Sequence, residues 1–239
     1  MKRALVTGGS GGIGAAICKR LAADGHHLIV HANRSLDKAV AVVAEIIAAG
    51  GSAEALAFDV TDRAASAAAL ETLLEGGAIQ ILVNNAGIHA DAVFPGMSGE
   101  QWDSVLDVSL NGFFNVTQPL TMPMIRTRWG RIITISSIAG ITGNRGQVNY
   151  SAAKGALHAA SKSLALELAS RNVTVNAVAP GIIATGMIEA AFDAETIKTL
   201  VPMKRAGKPE EVADLVAFLA SDKAAYISGQ IISINGGMI

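Results

Sequence analysis

A strand-length apolar run, Arg3–Thr7, passes directly into Gly8-Gly9-Ser10-Gly11-Gly12-Ile13-Gly14 and then into a helical pattern. This junction constrains the chain most, because the same alternation of strand and helix then recurs to the last residues. Further strand candidates are His27–Ala32, Ala53–Phe58, Ile79–Val83, Arg131–Ser136, Val173–Val178 and Gln230–Ile234. They are almost continuously apolar, as expected of parallel strands covered on both faces. Helical patterns separate them at Gly12–Asp24, Leu36–Ala49, Arg63–Glu75, Gly99–Arg128, Asn149–Ser170 and Pro209–Ser221. Leu36, Ala39, Val40, Val43, Ile46 and Ile47 fall at three- and four-residue spacing, from which one buried stripe is expected. Right-handed crossovers between such units give an α/β fold, a single doubly wound domain over 1–239. Its expected core is a seven-stranded, mainly parallel sheet with helices on both faces. The less regular stretch Ala179–Arg205 follows a late strand, and about 184–205 is expected to form a substrate lid.

Composition narrows the function. Of 239 residues, 51% are apolar, and 19 basic residues face 20 acidic ones for a net charge of −1. That balance argues against disorder and against a phosphate-neutralising nucleic-acid binder. The lone Cys18 makes no internal disulfide or multi-thiolate metal site. The histidines show no ligand spacing beyond the adjacent His26-His27 pair, so no metal is implied. No apolar run approaches the roughly 20 residues that span a bilayer. With no signal-peptide pattern, a cytoplasmic location is expected.

The glycine-rich loop sits between a strand and a helix, the context in which backbone approaches a pyrophosphate and the helix N-terminus supplies free N–H groups. It therefore predicts a Rossmann-type dinucleotide site. The residue closing the second strand meets the adenosine ribose in such sites, and an acid there would repel a 2′-phosphate. This chain has Asn33 and Arg34 instead. Arg34 can pair bidentately with a phosphate, which favours NADPH and leaves NADH possible. The competing reading is that Arg34 only solvates a loop.

Thr7-Gly8-x-x-x-Gly12-Ile13-Gly14 resembles the cofactor motif of the short-chain dehydrogenase/reductases, and other segments follow in that family's order. Asp59-Val60 resembles the pair that holds the adenine ring. Asn84-Asn85-Ala86-Gly87 resembles the motif that steadies the central sheet and lines the cofactor. Ser137, Tyr150-x-x-x-Lys154 and Pro180-Gly181-Ile182-Ile183-Ala184-Thr185 complete the series, which spans residues 1 to 239. Asn149–Lys154 and the closing Ile234–Met238 are most similar to the 3-oxoacyl-carrier-protein reductases. The resemblance implies a cofactor held by Thr7, Gly8, Ser10, Gly12, Ile13, Gly14, Asn33, Arg34, Asp59, Val60, Asn85, Ala86, Gly87, Tyr150, Lys154, Pro180, Gly181, Ile183 and Thr185.

Reduction of a carbonyl needs a hydride, a proton and a group that polarises the oxygen. The cofactor carries the first. Tyrosine is a weak acid–base catalyst at its usual pKa of about 10. Lys154, four residues on along one helix face, can place a cation by the phenolate. Ser137 would hydrogen-bond the substrate oxygen beside the Tyr150 hydroxyl. Taken alone, a Tyr–Lys pair at this spacing is more often an ordinary helical pair; beside the cradle and Ser137 it reads as catalytic.

Two departures stand out. The family usually places a fourth catalytic residue, Asn, in an Asn-Leu-x-Gly pattern, where this chain reads Ser109-Leu110-Asn111-Gly112. Ser109 either holds the same relay water or weakens the relay. Asn111 lies about 200° around the helix and cannot substitute. Gly11 stands where NADPH-using relatives often carry Arg or Lys. The resemblance also implies acyl carrier protein as partner. Arg128 and Arg171 match the positions at which reductases of this group present docking arginines near the active-site entrance, although cations at helix C-termini are common anyway. A homotetramer follows from the same resemblance. Three functions are thus weighed: NADPH-dependent reduction of 3-oxoacyl thioesters, in fatty-acid synthesis or an accessory polyketide- or polyene-type pathway; a dehydrogenase of a small alcohol, sugar or steroid; and a catalytically weak cofactor-binding scaffold.

Overall fold

The computed structural model describes residues 1–185 and 193–239. In chain order it contains β1 (Arg3–Val6), α1 (Gly12–Ala23), β2 (His27–Ala32), α2 (Leu36–Ala48), β3 (Ser52–Ala57), α3 (Arg63–Glu75) and β4 (Ile81–Asn84). There follow α4 (Gly99–Leu106), α5 (Gly112–Thr127), β5 (Gly130–Ile135), α6 (Ala139–Thr142), α7 (Val148–Leu168) and β6 (Val173–Pro180). Helices α8 (Ala194–Leu200) and α9 (Pro209–Ala220) precede β7 (Ile231–Ile234). The strands form one seven-stranded sheet in the order β3-β2-β1-β4-β5-β6-β7. Every pairing in it is parallel.

Alternate side chains of the central strands feed two separate core layers, which is why these strands carry no polar face. Ala4, Val6, Leu28, Val30, Ile81, Val83, Ile133 and Ile135 pack under α1, α2 and α9. Leu5, Ile29, Leu82, Ile132, Val173 and Val175 pack against α3, α5 and α7. Order reverses between β1 and β4, and crevices at such a switch point lie beyond the carboxyl ends of the strands. Thr7, Asn85, Ser136-Ser137 and Gly181 all leave the sheet at that end.

The long helix expected at Gly99–Arg128 is in fact two. Residues Asp107–Asn111 form one wide π-helical turn between α4 and α5. The widened turn brings Gly112 against Val60, where a Cβ would stand 2.9 Å from Val60 Cγ2. Sequence periodicity does not register one extra residue in a turn. Of the expected lid, Ala184, Thr185, Asp193 and helix α8 are described, while 186–192 lie outside the described residues. Among the described residues, no helix is long and apolar enough to cross a membrane.

Candidate active site

The cradle is held together by its own hydrogen bonds. Thr7 Oγ1 accepts the backbone N–H groups of Asn85 at 2.9 Å and Ala86 at 3.0 Å. Asn85 Nδ2 in turn donates to the carbonyls of Thr7 and Gly8, each at 3.0 Å. Glycine is required where the loop folds onto itself: a Cβ on Gly14 would sit 2.1 Å from the Gly8 carbonyl oxygen. Gly8 and Gly12 adopt positive φ, +61° and +53°, which suits glycine. Gly11 caps α1 with no side-chain hydrogen bond, and the first turn of α1 holds no acid. Free N–H groups and the positive end of the helix dipole are therefore presented to the loop, a surface suited to a pyrophosphate.

His31, which the sequence did not single out, fastens the same loop. Its Nδ1 accepts the Gly8 N–H at 3.1 Å, while Nε2 donates to the Phe58 carbonyl at 2.9 Å. Those two bonds fix a neutral tautomer, and burial pushes the imidazole below its ordinary pKa. Asn33 and Arg34 follow β2 and are exposed. Among the described residues, Arg34 makes no ion pair. Asp59 accepts Thr61 N–H at 2.9 Å and Thr61 Oγ1 at 2.8 Å, which hold its carboxyl below the usual range. Val60 is buried, and its carbonyl accepts from Asn115 Nδ2 at 2.9 Å. Ser10 and Ile13 flank the cradle, Ile13 leaning on the core beneath α1. Gly181 N donates to Ile234 O, and Ile183 bridges to Gly207. Thr185 closes on the cradle, its Cγ2 3.6 Å from where a Gly12 Cβ would be.

Ser137, Tyr150 and Lys154 meet at the carboxyl end of β5 and the start of α7. Lys154 is buried, donates from Nζ to the Ile135 carbonyl at 2.9 Å, and lies 5.5 Å from the Tyr150 ring centroid. Gly87 leaves room for it, since a Cβ there would stand 3.3 Å from Nζ. Burial draws the Lys154 ammonium down to about 8. It also raises the Tyr150 phenol to about 12, against the opposing pull of the nearby Ser137 hydroxyl. Buried Asn149 seats the tyrosine: Oδ1 accepts Tyr150 N–H at 2.8 Å, and Nδ2 donates to Ala90 O and Gln101 O at 2.9 and 2.8 Å. Behind Ser137, Ser136 Oγ lies 2.6 Å from His158 Nε2, tying β5 to α7.

Ser109 sits in the π-helical turn, buried, with no hydrogen-bond partner for its Oγ among the described residues. Asn111 faces solvent and donates to Asp107 at 2.6 Å, so it does not replace the missing family Asn. Arg128 and Arg171 require a correction. Within one chain they do not lie near the active-site entrance. Arg128 ends α5 just ahead of β5, and Arg171 precedes β6. In a parallel sheet every helix-to-strand connection falls at the strands' amino ends, whereas Ser137 follows β5. The two arginines thus flank the paired residues Gly130 and Val173, with six-residue β5, about 20 Å long, between them and Ser137.

The sequence model of the family described as short chain dehydrogenase matches residues 2–196. The chain belongs to that family. It is 46% identical over 236 residues to 3-oxoacyl-(acyl-carrier-protein) reductase FabG of Aggregatibacter actinomycetemcomitans, covering 98% of each chain. A 3-oxoacyl-(acyl-carrier-protein) reductase of Synechocystis is 48% identical over 238 residues, covering 99% of this chain and 96% of the relative. Nodulation protein G of a Rhizobium species is 46% identical over 242 residues, with 99% and 96% covered.

Proposed function

We propose that the chain reduces 3-oxoacyl thioesters on acyl carrier protein to 3-hydroxyacyl thioesters, with NADPH as hydride source. The carrying observation is the convergence of Ser137, Tyr150 and buried Lys154 beside a cradle whose glycines a Cβ would fill. The near-full-length identity to named reductases of this kind supports the substrate class. NADPH, when bound, supplies the hydride. Gly8, Gly12 and Gly14 would take its pyrophosphate, Asp59 and Val60 its adenine, and Arg34 its 2′-phosphate.

The chain's own residues handle the proton. With its pKa raised to about 12, Tyr150 is protonated at neutral pH, as a proton donor in reduction must be. Ser137 and the phenol share the substrate oxygen and stabilise charge that develops there. Proton donation leaves a phenolate over Lys154, whose ammonium is still mostly charged at pH 7 with a pKa of about 8. Docking of the carrier at Arg128 and Arg171 fits a homotetramer in which those arginines serve a neighbouring copy's crevice, since their own lies at the far end of β5.

The test is NADPH oxidation with acetoacetyl-carrier protein, free acetoacetyl thioester and a small sugar or steroid ketone side by side. The proposal expects turnover of both thioesters, and loss for the carrier-bound one alone in Arg128→Glu and Arg171→Glu. Preference for the sugar or steroid ketone would instead support a dehydrogenase of small alcohols.

A further inference from the structure

The segment after Gly87 is pinned at three points to the loop that leads into α7 and to that helix's first turn. Ala92 N–H donates to Gly146 O at 2.9 Å, Asn149 Nδ2 to Ala90 O at 2.9 Å, and Gln147 Nε2 to Asp91 Oδ2 at 2.8 Å. Immediately before these pins, the imidazole of His89 lies flat on the Tyr150 ring, centroids 4.2 Å apart and planes 25° from parallel. Gln147 Nε2 stands 3.4 Å from His89 Nδ1, so Nδ1 accepts and the neutral ring carries its proton on Nε2. Asp91 Oδ1 is 3.8 Å from the same nitrogen. None of the motifs read from the sequence contains His89.

We propose that His89 is a positioning residue for the proton donor: held by the pins at Ala90, Asp91 and Ala92 that follow it, its flat face keeps the Tyr150 ring in place and water off that side of it. The inference rests on the reductase reading for its kinetic consequences, but not for its structural one. The charged and titratable groups that face Tyr150 are Asp91, Lys154 and His89 itself, with the Ser137 hydroxyl nearby. Burial dominates and raises the phenol. Burial likewise holds His89 below its ordinary value, with Asp91 opposing and Lys154 assisting, so the ring is neutral at pH 7. Removing the ring admits water, and a better-solvated phenol ionises at lower pH.

Two readouts test this. In the first, His89→Ala lowers kcat for acetoacetyl thioester about 10- to 100-fold, the scale of a misplaced reacting group, with KM within about threefold. His89→Phe, which keeps a flat face and removes the ring nitrogens, stays within about threefold of the parent. The second needs no substrate. Tyr150 and fully exposed Tyr226 are the only tyrosines, so Tyr226→Phe leaves one ring to follow by NMR of tyrosine-labelled protein. The Tyr150 titration midpoint falls in His89→Ala and stays put in His89→Phe. An unmoved midpoint and near-parental kcat in His89→Ala would overturn the proposal. So would equal losses in both variants, which would assign the role to the ring nitrogens. A parent inactive on every 3-oxoacyl thioester would refute the reductase reading, while the midpoint comparison would still decide the role of His89.

Discussion

Replacing Gly14 with alanine would damage the cradle even before cofactor arrives. The added Cβ would lie 2.1 Å from Gly8 O and 2.7 Å from Asn85 Nδ2, both inside van der Waals contact by well over half an ångström. The first clash is with backbone, so no side-chain rotation relieves it, and overpacking of this kind costs about 1–3 kcal/mol. Opening the loop also breaks Asn85 Nδ2 to Gly8 O and Gly8 N–H to His31, each contributing about 1 kcal/mol. The sum is about 3–5 kcal/mol, which for a chain of this size lowers Tm by roughly 6–20 °C. Gly11→Ala is the control, because it has extended φ and nothing within 4 Å of its Cβ. Thermal melts without cofactor should separate the two variants, and NADPH titration should show weakened binding only for Gly14→Ala. A Gly14→Ala protein that melts within a degree or two of the parent and binds NADPH normally would refute the packing described for this loop.

Other perturbations follow from the same geometry. Free histidine takes up a proton near pH 6.5, and burial holds His31 below that value when folded. Between the two values the unfolded chain binds more protons, so stability falls as pH drops through that window. His31→Phe should make the acid side of a stability–pH curve shallower, with a residual slope from the similarly depressed His26, His89 and His158. Ser109→Asn should leave turnover intact or raise it; a large loss would mean that the turn is specialised around serine. Gly11→Arg should tighten NADPH severalfold and Arg34→Ala loosen it about tenfold, with NADH unchanged in both; equal effects on the two cofactors would remove the 2′-phosphate from the account.

The fold was legible because parallel strands buried on both faces must be continuously apolar, and the glycine loop showed where the first crossover bends. Strand ends shifted by a residue or two, as with β4 starting at Ile81 instead of Ile79. Less visible were features that depend on chain segments meeting in space. His31 looks like one more strand residue until Gly8 and Phe58 are seen on its two nitrogens. His89 and Asn149 are far from each other in sequence and meet only through the loop pins around Tyr150. Arg131 opens a strand candidate in the sequence with nothing to mark its surroundings, yet it is fully buried, with its guanidinium 4.2 Å from the Trp129 ring. The π-helical turn escaped because periodicity continues on either side of it. Arg128 and Arg171 were misplaced because a motif gives position along the chain and not the end of the sheet.

The central claim is that Tyr150 donates the proton in a hydride-driven reduction, and Tyr150→Phe tests it most directly. Acetoacetyl-carrier protein would be supplied with NADPH and absorbance followed, while cofactor affinity is titrated separately. The account predicts a loss of kcat of about 10²–10⁴-fold with NADPH binding unchanged. A Tyr150→Phe enzyme that still turns over within tenfold of the parent would contradict it.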